Sequence, residues 1–416
     1  MTSALFDYSL YYDNNNPIAD VNGTTVNNHK NWNGNINGIV ADYAFAGINN
    51  PSGPASVFDD PTIYGYKYDL INRLFKADAI VGDRIDTLNT LTYDIGDVTY
   101  NFDKIGNFKN LKRGTGIDLS GLLTDHWNYK YFAGTNQLKK VVGQGTSVTR
   151  NYTYDPNGNL ASDDFRTLNV IDYGRASYPY HISKTDNEID YLYNLGDLRI
   201  YKQTITPADT TEEYYLKSSS GQDLGILDMQ AGLWTWYVNG ADRIAKVTPL
   251  TFQQPDSISI QGGLVNNQNL VDEHFYIYDH LGNTRIVYSA ITRELPNCAT
   301  TVEIEYVADY YPYGKILREY SNGPVEKYLT TQHERDLETN LDYRGARFYD
   351  SDVARFLSLD PLAADYPSLS DYSYVAGNPV IYLDPTGAKV EDIYSVDDDG
   401  NLTLEKRTNH NFDVIY

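Results

Sequence analysis

Two Asp-Pro pairs stand in the C-terminal part of the chain, Asp360-Pro361 and Asp384-Pro385, 24 residues apart. Two carboxyl groups brought close together cannot both ionise cheaply. One keeps its proton and can donate it, while the other stays charged and can activate water. A guanidinium beside them would hold one carboxylate ionised. Arg347 precedes Asp360 by 13 residues and Arg355 precedes it by five. These separations forbid a shared helical face, so only a chain folded back on itself joins the two carboxylates. The plainer alternative is that each Asp-Pro pair merely opens a turn, as Asp155-Pro156 does.

Other chemistry is thinner. Cys298 is the single cysteine, so no intrachain disulfide is possible and it reads as a small packing residue. The seven histidines lie at 29, 126, 181, 274, 280, 333 and 410. His274 and His280 flank a hairpin at no zinc spacing and read as surface or turn residues. Asp397-Asp398-Asp399-Gly400, set as a calcium loop through Gly400, would need Ser395 and Lys406 as its first and last ligands. Both fail, and a hairpin turn between Ile393–Val396 and Leu402–Leu404 fits better. Asp163-Asp164 reads as a solvated loop pair, with a glycosidase pair as the open alternative. No phosphate loop, nucleophile elbow or zincin helix occurs, and no cofactor or metal is expected.

The elements that must position these residues are strands. The 416 residues include 39 Tyr against 13 Phe and 4 Trp, together with 31 Gly. Tyr suits pleated, half-buried surfaces, and this composition predicts an all-β chain. Phe102-Asp103-Lys104-Ile105-Gly106-Asn107, Tyr154-Asp155-Pro156-Asn157-Gly158-Asn159 and Tyr278-Asp279-His280-Leu281-Gly282-Asn283 share one form. Looser copies begin at Tyr68-Asp69, Tyr93-Asp94 and Tyr193-Asn194, the last one residue shorter before its Gly. Alternating runs such as Phe275-Tyr276-Ile277-Tyr278 lead in and others lead out. Asp bonds to backbone two residues on and Gly supplies a positive φ, so each copy predicts a β-hairpin. The opening Asp13–Pro17, residues 251–269 and Ile291–Thr301 read as loops.

Lys+Arg total 33 against 56 Asp+Glu, a net charge of −23. Such a chain repels phosphate backbones and anionic lipid, which argues against nucleic-acid and membrane-surface partners. No apolar run approaches the roughly 18 residues of a membrane span. Met1–Tyr8 lacks a basic start followed by an apolar stretch, so no secretory signal is read there.

The repeats resemble the YD repeats of the Rhs family, which includes the toxin-bearing C subunits of insecticidal toxin complexes. Residues 305–387 resemble the Rhs repeat-associated core domain. Tyr310-Tyr311-Pro312-Tyr313-Gly314 is followed by Tyr343-Arg344-Gly345-Ala346-Arg347-Phe348-Tyr349-Asp350, then by Ala354-Arg355-Phe356-Leu357-Ser358-Leu359-Asp360-Pro361. Tyr372-Ser373-Tyr374-Val375-Ala376-Gly377-Asn378-Pro379 leads on to Leu383-Asp384-Pro385-Thr386-Gly387. Asn31-Trp32-Asn33-Gly34-Asn35-Ile36 is similar to a segment of Bacteroidetes-type Rhs proteins.

The resemblance implies a β-strip curling into a shell around a C-terminal toxin, closed by the core domain. It also implies self-cleavage, with Asp360 and Asp384 as the acid/base pair, Arg347 as charge partner and the cut near Ala388. Where cleaving relatives carry Asp-Pro-x-Gly, this chain has Asp360-Pro361-Leu362-Ala363, and Ala388 replaces a larger apolar residue. The expected organisation is an irregular or β segment at 1–60, a YD-repeat strip at 61–304, the core domain at 305–387 and a variable stub at 388–416. That stub has seven acidic and three basic residues. Expected partners are the remainder of a larger shell or a toxin, with a secretion-system component further off. The alternative is a YD-repeat cell-surface protein that binds glycan without catalysis. An unrelated hydrolase on a β-repeat scaffold is a third reading. An inward-curving strip with a polar concave wall is expected of the shell.

Overall fold

A computed structural model describes residues 6–11, 17–21, 24–27, 35–43, 58, 62–81, 98–113, 125–144, 148–240, 242–249, 271–292, 300–322, 326–392, 394–396 and 402–404. Cys298, His29, His410, Asn31–Gly34, Asp13–Asn16, Tyr93–Asp97, residues 251–269 and Asp397–Gly400 lie outside them.

The repeat motif builds one kind of turn. At Asp155 the backbone N–H donates to the Asn159 carbonyl at 2.9 Å, and the Gly158 N–H donates back to the Asp155 carbonyl at 3.1 Å. The Asp155 carboxylate accepts the Asn157 and Asn159 N–H groups at 2.9 and 2.8 Å and the Asn159 side-chain amide at 2.9 Å. Asp103 and Asp279 repeat this set. Gly106, Gly158 and Gly282 carry φ of 86°, 84° and 77°. The strand register slips before Phe102, Tyr154 and Tyr278, as a type I turn closed by a left-handed residue and bulge requires.

The looser copies use the same turn with other residues. After Asp69 the left-handed position is filled by Asn72, φ 63°. At Asn194 it is Asp197, φ 60°, and Gly196 sits one place earlier. That copy is therefore full length rather than shortened. Sequence comparison missed the turns at Ser218 and Tyr311, whose left-handed residues are Gly221 and Gly314. Ser218 Oγ replaces the carboxylate, accepting the Gln222 N–H at 3.0 Å.

The tyrosine before the turn joins neighbouring hairpins. Tyr68, Tyr193 and Tyr310 hydroxyls donate to the carbonyls of Ile36, Pro179 and Thr284 at 2.7, 2.9 and 2.8 Å. Phe can fill the space but cannot make this bond.

The hairpins join into one 22-stranded antiparallel sheet. Phe6–Tyr11 pairs with Gly38–Tyr43, which pairs with Thr62–Tyr68, and each later strand pairs with its successor up to Ile316–Ser321. The strand entering 291–301 runs to Thr292 and pairs there with Thr300, so the ends of that expected loop are strand. Tyr394–Val396 pairs with Leu402–Leu404, the expected hairpin.

The strip curls until its ends meet through side chains. Tyr43 Oη donates to Asp309 Oδ1 at 2.7 Å, and Arg318 Nη2 reaches Thr62 Oγ1 at 2.8 Å. Its buried face is tyrosine and aliphatic: Ile36, Tyr66, Tyr100, Tyr129, Val141, Tyr152, Ile182 and Tyr191 share one core with Tyr313, Leu341, Phe348, Phe356, Tyr374 and Val380. The wall expected to be polar is thus mixed, an apolar core set with buried Arg113, Arg166 and Arg199, and the chain's own C-terminal part packs against it. That part carries a four-stranded sheet of Glu334–Asp336, Leu341–Tyr343, Phe348–Asp350 and Arg355–Phe356. Helix is confined to short 3-10 turns and residue 58 among the described residues.

Polar anchors fix the filling to the strip. Arg113 donates to the Ser351 and Asp352 carbonyls at 2.9 and 3.0 Å. Arg166 meets Asp350, and Arg199 meets Glu334 and Asp336. Such buried pairs add little net stability over an apolar core but cost several kcal/mol when one partner is lost.

Candidate functional site

Two glycine turns and one arginine build the site. The first turn closes with the Arg344 N–H donating to the Arg347 carbonyl at 3.0 Å, and Gly345 has φ 73°. The second runs from Asp384 to Ala388, with Gly387 at φ 71°. They interlock: the Ala346 N–H donates to the Thr386 carbonyl at 2.9 Å. A Cβ on Gly387 would stand 2.1 Å from the Arg344 carbonyl oxygen, so only glycine fits there.

Arg347 then gathers the carboxylates. Its Nη2 lies 3.0 Å from Asp360 Oδ2 and 3.2 Å from Asp384 Oδ2. Its Nε donates to the Gly387 carbonyl, and its Nη1 to the Asp371 carbonyl at 3.3 Å. The guanidinium lies over the Phe356 ring, 3.6 Å from its centre. Asp384 Oδ1 accepts the N–H groups of Ala388 and Lys389 at 2.9 and 3.0 Å. The Gly387–Ala388 peptide is thereby held at both ends, its oxygen on Arg347 and its nitrogen on Asp384.

The two acids differ in setting. The Asp384 side chain is 1% exposed and that of Asp360 14%. Burial pushes Asp384 up to about 6, against the pull of Arg347. Burial also raises Asp360, again opposed by Arg347. It lowers Arg347 itself, more than the two carboxylates raise it. Asp384 is the better proton reservoir and Asp360 the better-hydrated carboxylate. A gap of about 10 Å³ borders Arg347, Asp360, Ser370, Asp371 and Ser373. That is room for roughly one water.

Of the four residues singled out in the sequence, Asp360, Asp384 and Arg347 are brought together here. Arg355 is not: it turns to the Asn136 carbonyl at 2.6 Å and Tyr131 Oη at 3.3 Å. Ala363, standing where cleaving relatives carry glycine, opens the 3-10 turn Ala363–Asp365. That backbone needs no glycine. Leu362 N–H donates to Asp360 Oδ1 at 2.8 Å. Sequence reading missed Phe356 and the Asp371 carbonyl; a main-chain acceptor leaves no residue-type signal.

Two expectations are corrected, the surface or turn reading of His274 and the solvated reading of Asp163, whereas His280 lies in a turn as expected. His274 is buried and lies 2.5 Å from Glu305 Oε2. His280 sits in its turn but joins Tyr8 Oη at 3.0 Å to the Val380 carbonyl at 2.8 Å, and burial lowers its pKa. Asp163 is buried, not solvated, and accepts the Phe165 N–H at 2.9 Å, while Asp164 bonds to Asn151. Among the described residues no cluster of three or more His, Cys, Asp or Glu side chains is arranged to hold a metal.

No family model matches the chain. Salivary gland surface protein 1 of Aedes aegypti is 23% identical over 300 residues, covering 70% of this chain and 8% of that protein. Toxin subunit YenC2 of Yersinia entomophaga is 26% identical over 294 residues, covering 58% of this chain and 29% of that protein. In the solved structure TcdB2-TccC3-TEV, one chain matches 92% of this one at a TM-score of 0.50 and 17% identity. The match covers 18% of that chain. The chain therefore spans less than a third of each relative. The strip fold is one that this solved structure contains.

Proposed function

We propose that this chain is the C-terminal part of an Rhs/YD-type shell in a toxin system, and that residues 305–387 form a core domain that cuts the backbone at Gly387–Ala388. The remainder of a shell and a C-terminal toxin are its partners in this reading. The observation that carries the cleavage is Arg347, which holds Asp360, Asp384 and the Gly387 carbonyl at once.

The chemistry follows from the contacts. A water beside Asp360 gives its proton to that carboxylate and attacks the Gly387 carbonyl carbon. Charge developing on the Gly387 oxygen meets the Arg347 Nε–H, already in place. Protonated Asp384 passes its proton to the Ala388 nitrogen as the C–N bond breaks. The products are a Gly387 carboxylate and an Ala388 amine.

Intact mass of the expressed full chain tests this. Loss of residues 388–416, abolished by Asp384→Asn, is the expected result. A wild-type chain that stays uncut, like Asp384→Asn, ends the protease reading.

One observation favours the glycan-binding alternative. Trp234 and Trp236 stack at 4.9 Å and 19°, above Gly225, and Trp236 is 40% exposed beside exposed Tyr214 and Leu216. Glycan-array binding lost in Trp236→Ala would support it.

A further inference from the structure

Arg243 is 6% exposed, and its Nε and Nη1 find no hydrogen-bond acceptor among the described residues. It lies between phenol rings, 3.4 Å from the Tyr328 ring centre and 4.7 Å from that of Tyr237. Arg113, Arg166, Arg199, Arg285 and Arg335 each face a carboxylate, and Arg355, which faces aromatic rings as Arg243 does, still donates to the Asn136 carbonyl. Around Arg243 the geometry shows ring faces rather than counter-charges, those of Tyr328 and Tyr237. A buried cation with so weak a set of partners is costly unless something else meets it.

Arg243 also borders a cavity of about 420 Å³. That volume falls within the range of small-molecule sites. The acids on its wall are already engaged. Asp223 takes Lys217 at 2.6 Å and the Tyr328 hydroxyl at 3.0 Å. Glu334 takes Arg199 at 2.5 Å and the Tyr215 hydroxyl at 2.9 Å. Asp197 takes Arg175 at 3.2 Å. The positive charge left over in the wall is that of Arg243.

We infer that this cavity binds a small organic carboxylate, with Arg243 supplying the counter-charge and the half-buried ring of Tyr178 supplying an apolar wall. Guanidinium is the side chain best suited to a planar carboxylate, and phenol faces suit a compact ring beside it. Thr386 and Ala388 of the second glycine turn also wall the cavity, so the titration is run on the uncut chain, with its intact mass checked first.

Calorimetric titration of the full chain with glucuronate tests it, with glucose as the uncharged ring of the same size and inorganic phosphate as the anion without a ring. Saturable glucuronate binding is expected, weakened about tenfold or more for glucose, for phosphate and in Arg243→Gln. Ser220→Trp, on the exposed rim, narrows the mouth while leaving Arg243 in place and weakens binding likewise. No saturable glucuronate binding up to about 10 mM overturns the inference. So does glucose or phosphate binding equally well, or a folded Arg243→Gln that binds undiminished. Should Arg243→Gln fail to fold, Ser220→Trp decides.

Discussion

Arg166 and Asp350, 184 residues apart in sequence, meet in two hydrogen bonds: Nη2 to Oδ1 at 2.6 Å and Nε to Oδ2 at 3.0 Å. Both side chains are buried, and Arg166 Nη2 also reaches Asp352 at 2.8 Å. The pair ties the strip to the segment filling it. Arg166→Ala leaves Asp350 buried without its main cation, and a loss of about 3–5 kcal/mol is expected. Arg175→Ala, at a pair whose arginine is 73% exposed, should cost no more than about 1 kcal/mol. Urea unfolding of both variants checks the contrast, and equal midpoints would refute the anchor.

Asp163 lies beside the same pair. Burial, reinforced by the charge of Asp350, pushes it up to about 7 against the pull of Arg166. An unfolded aspartate releases its proton near ~3.9. Between those values the folded chain holds more protons than the unfolded one, so this group makes stability fall as pH rises. Asp163→Asn keeps an acceptor for the Phe165 N–H and removes the charge. The variant should gain on the wild type at about pH 8 relative to about pH 5. A pH-independent difference in urea midpoint would contradict this.

The repeat glycines offer a matched comparison. Gly106 and Gly158 have φ of 86° and 84°, so alanine is strained at both. Space around them differs. A Cβ on Gly106 meets nothing within 4 Å, whereas one on Gly158 meets Leu359 at 2.9 Å and Tyr372 Oη at 3.1 Å. Gly106→Ala should cost about 1 kcal/mol, and Gly158→Ala about 1–3 kcal/mol more. Thermal unfolding of the two variants measures the difference. Equal losses would mean that Leu359 and Tyr372 yield freely.

Much of this was written in the residues, and some was not. The Asp-x-x-Gly-Asn turns were legible because every bond of the turn lies within five residues. Ser218 and Tyr311 escaped because a hydroxyl, or no side-chain acceptor at all, does the work of the carboxylate. Arg166 and Arg199 gave no local signal, since their partners Asp350, Glu334 and Asp336 lie more than 130 residues further along the chain. Asp360, Asp384 and Arg347 were named from their motifs. The interlock of Gly345 and Gly387 that brings them together needs tertiary coordinates. Likewise, the filling of the concave face by Leu341, Phe348 and Val380 follows from packing, which periodicity alone does not reveal.

Asp384 sets the pH dependence of the proposed cleavage. The leaving Ala388 nitrogen needs a proton, and Asp384 Oδ1 is 2.9 Å from it. Burial holds the Asp384 pKa at about 6, so the proton is present below that value and lost above it. Asp360 must be ionised to take a proton from water; burial raises its pKa and Arg347 opposes that rise. Cleavage should therefore be faster near pH ~5.5 than near pH ~8, falling up to about tenfold per unit on the alkaline side. Asp384→Asn should remain uncut at both, and Arg347→Lys should be slowed by about 10²-fold or more, as lysine cannot hold two carboxylates and the Gly387 carbonyl together. Cell-free translation followed by a pH jump, with residues 388–416 followed by mass spectrometry, gives the rates. A rate that rises with pH through about 6 would remove Asp384 from the role of acid.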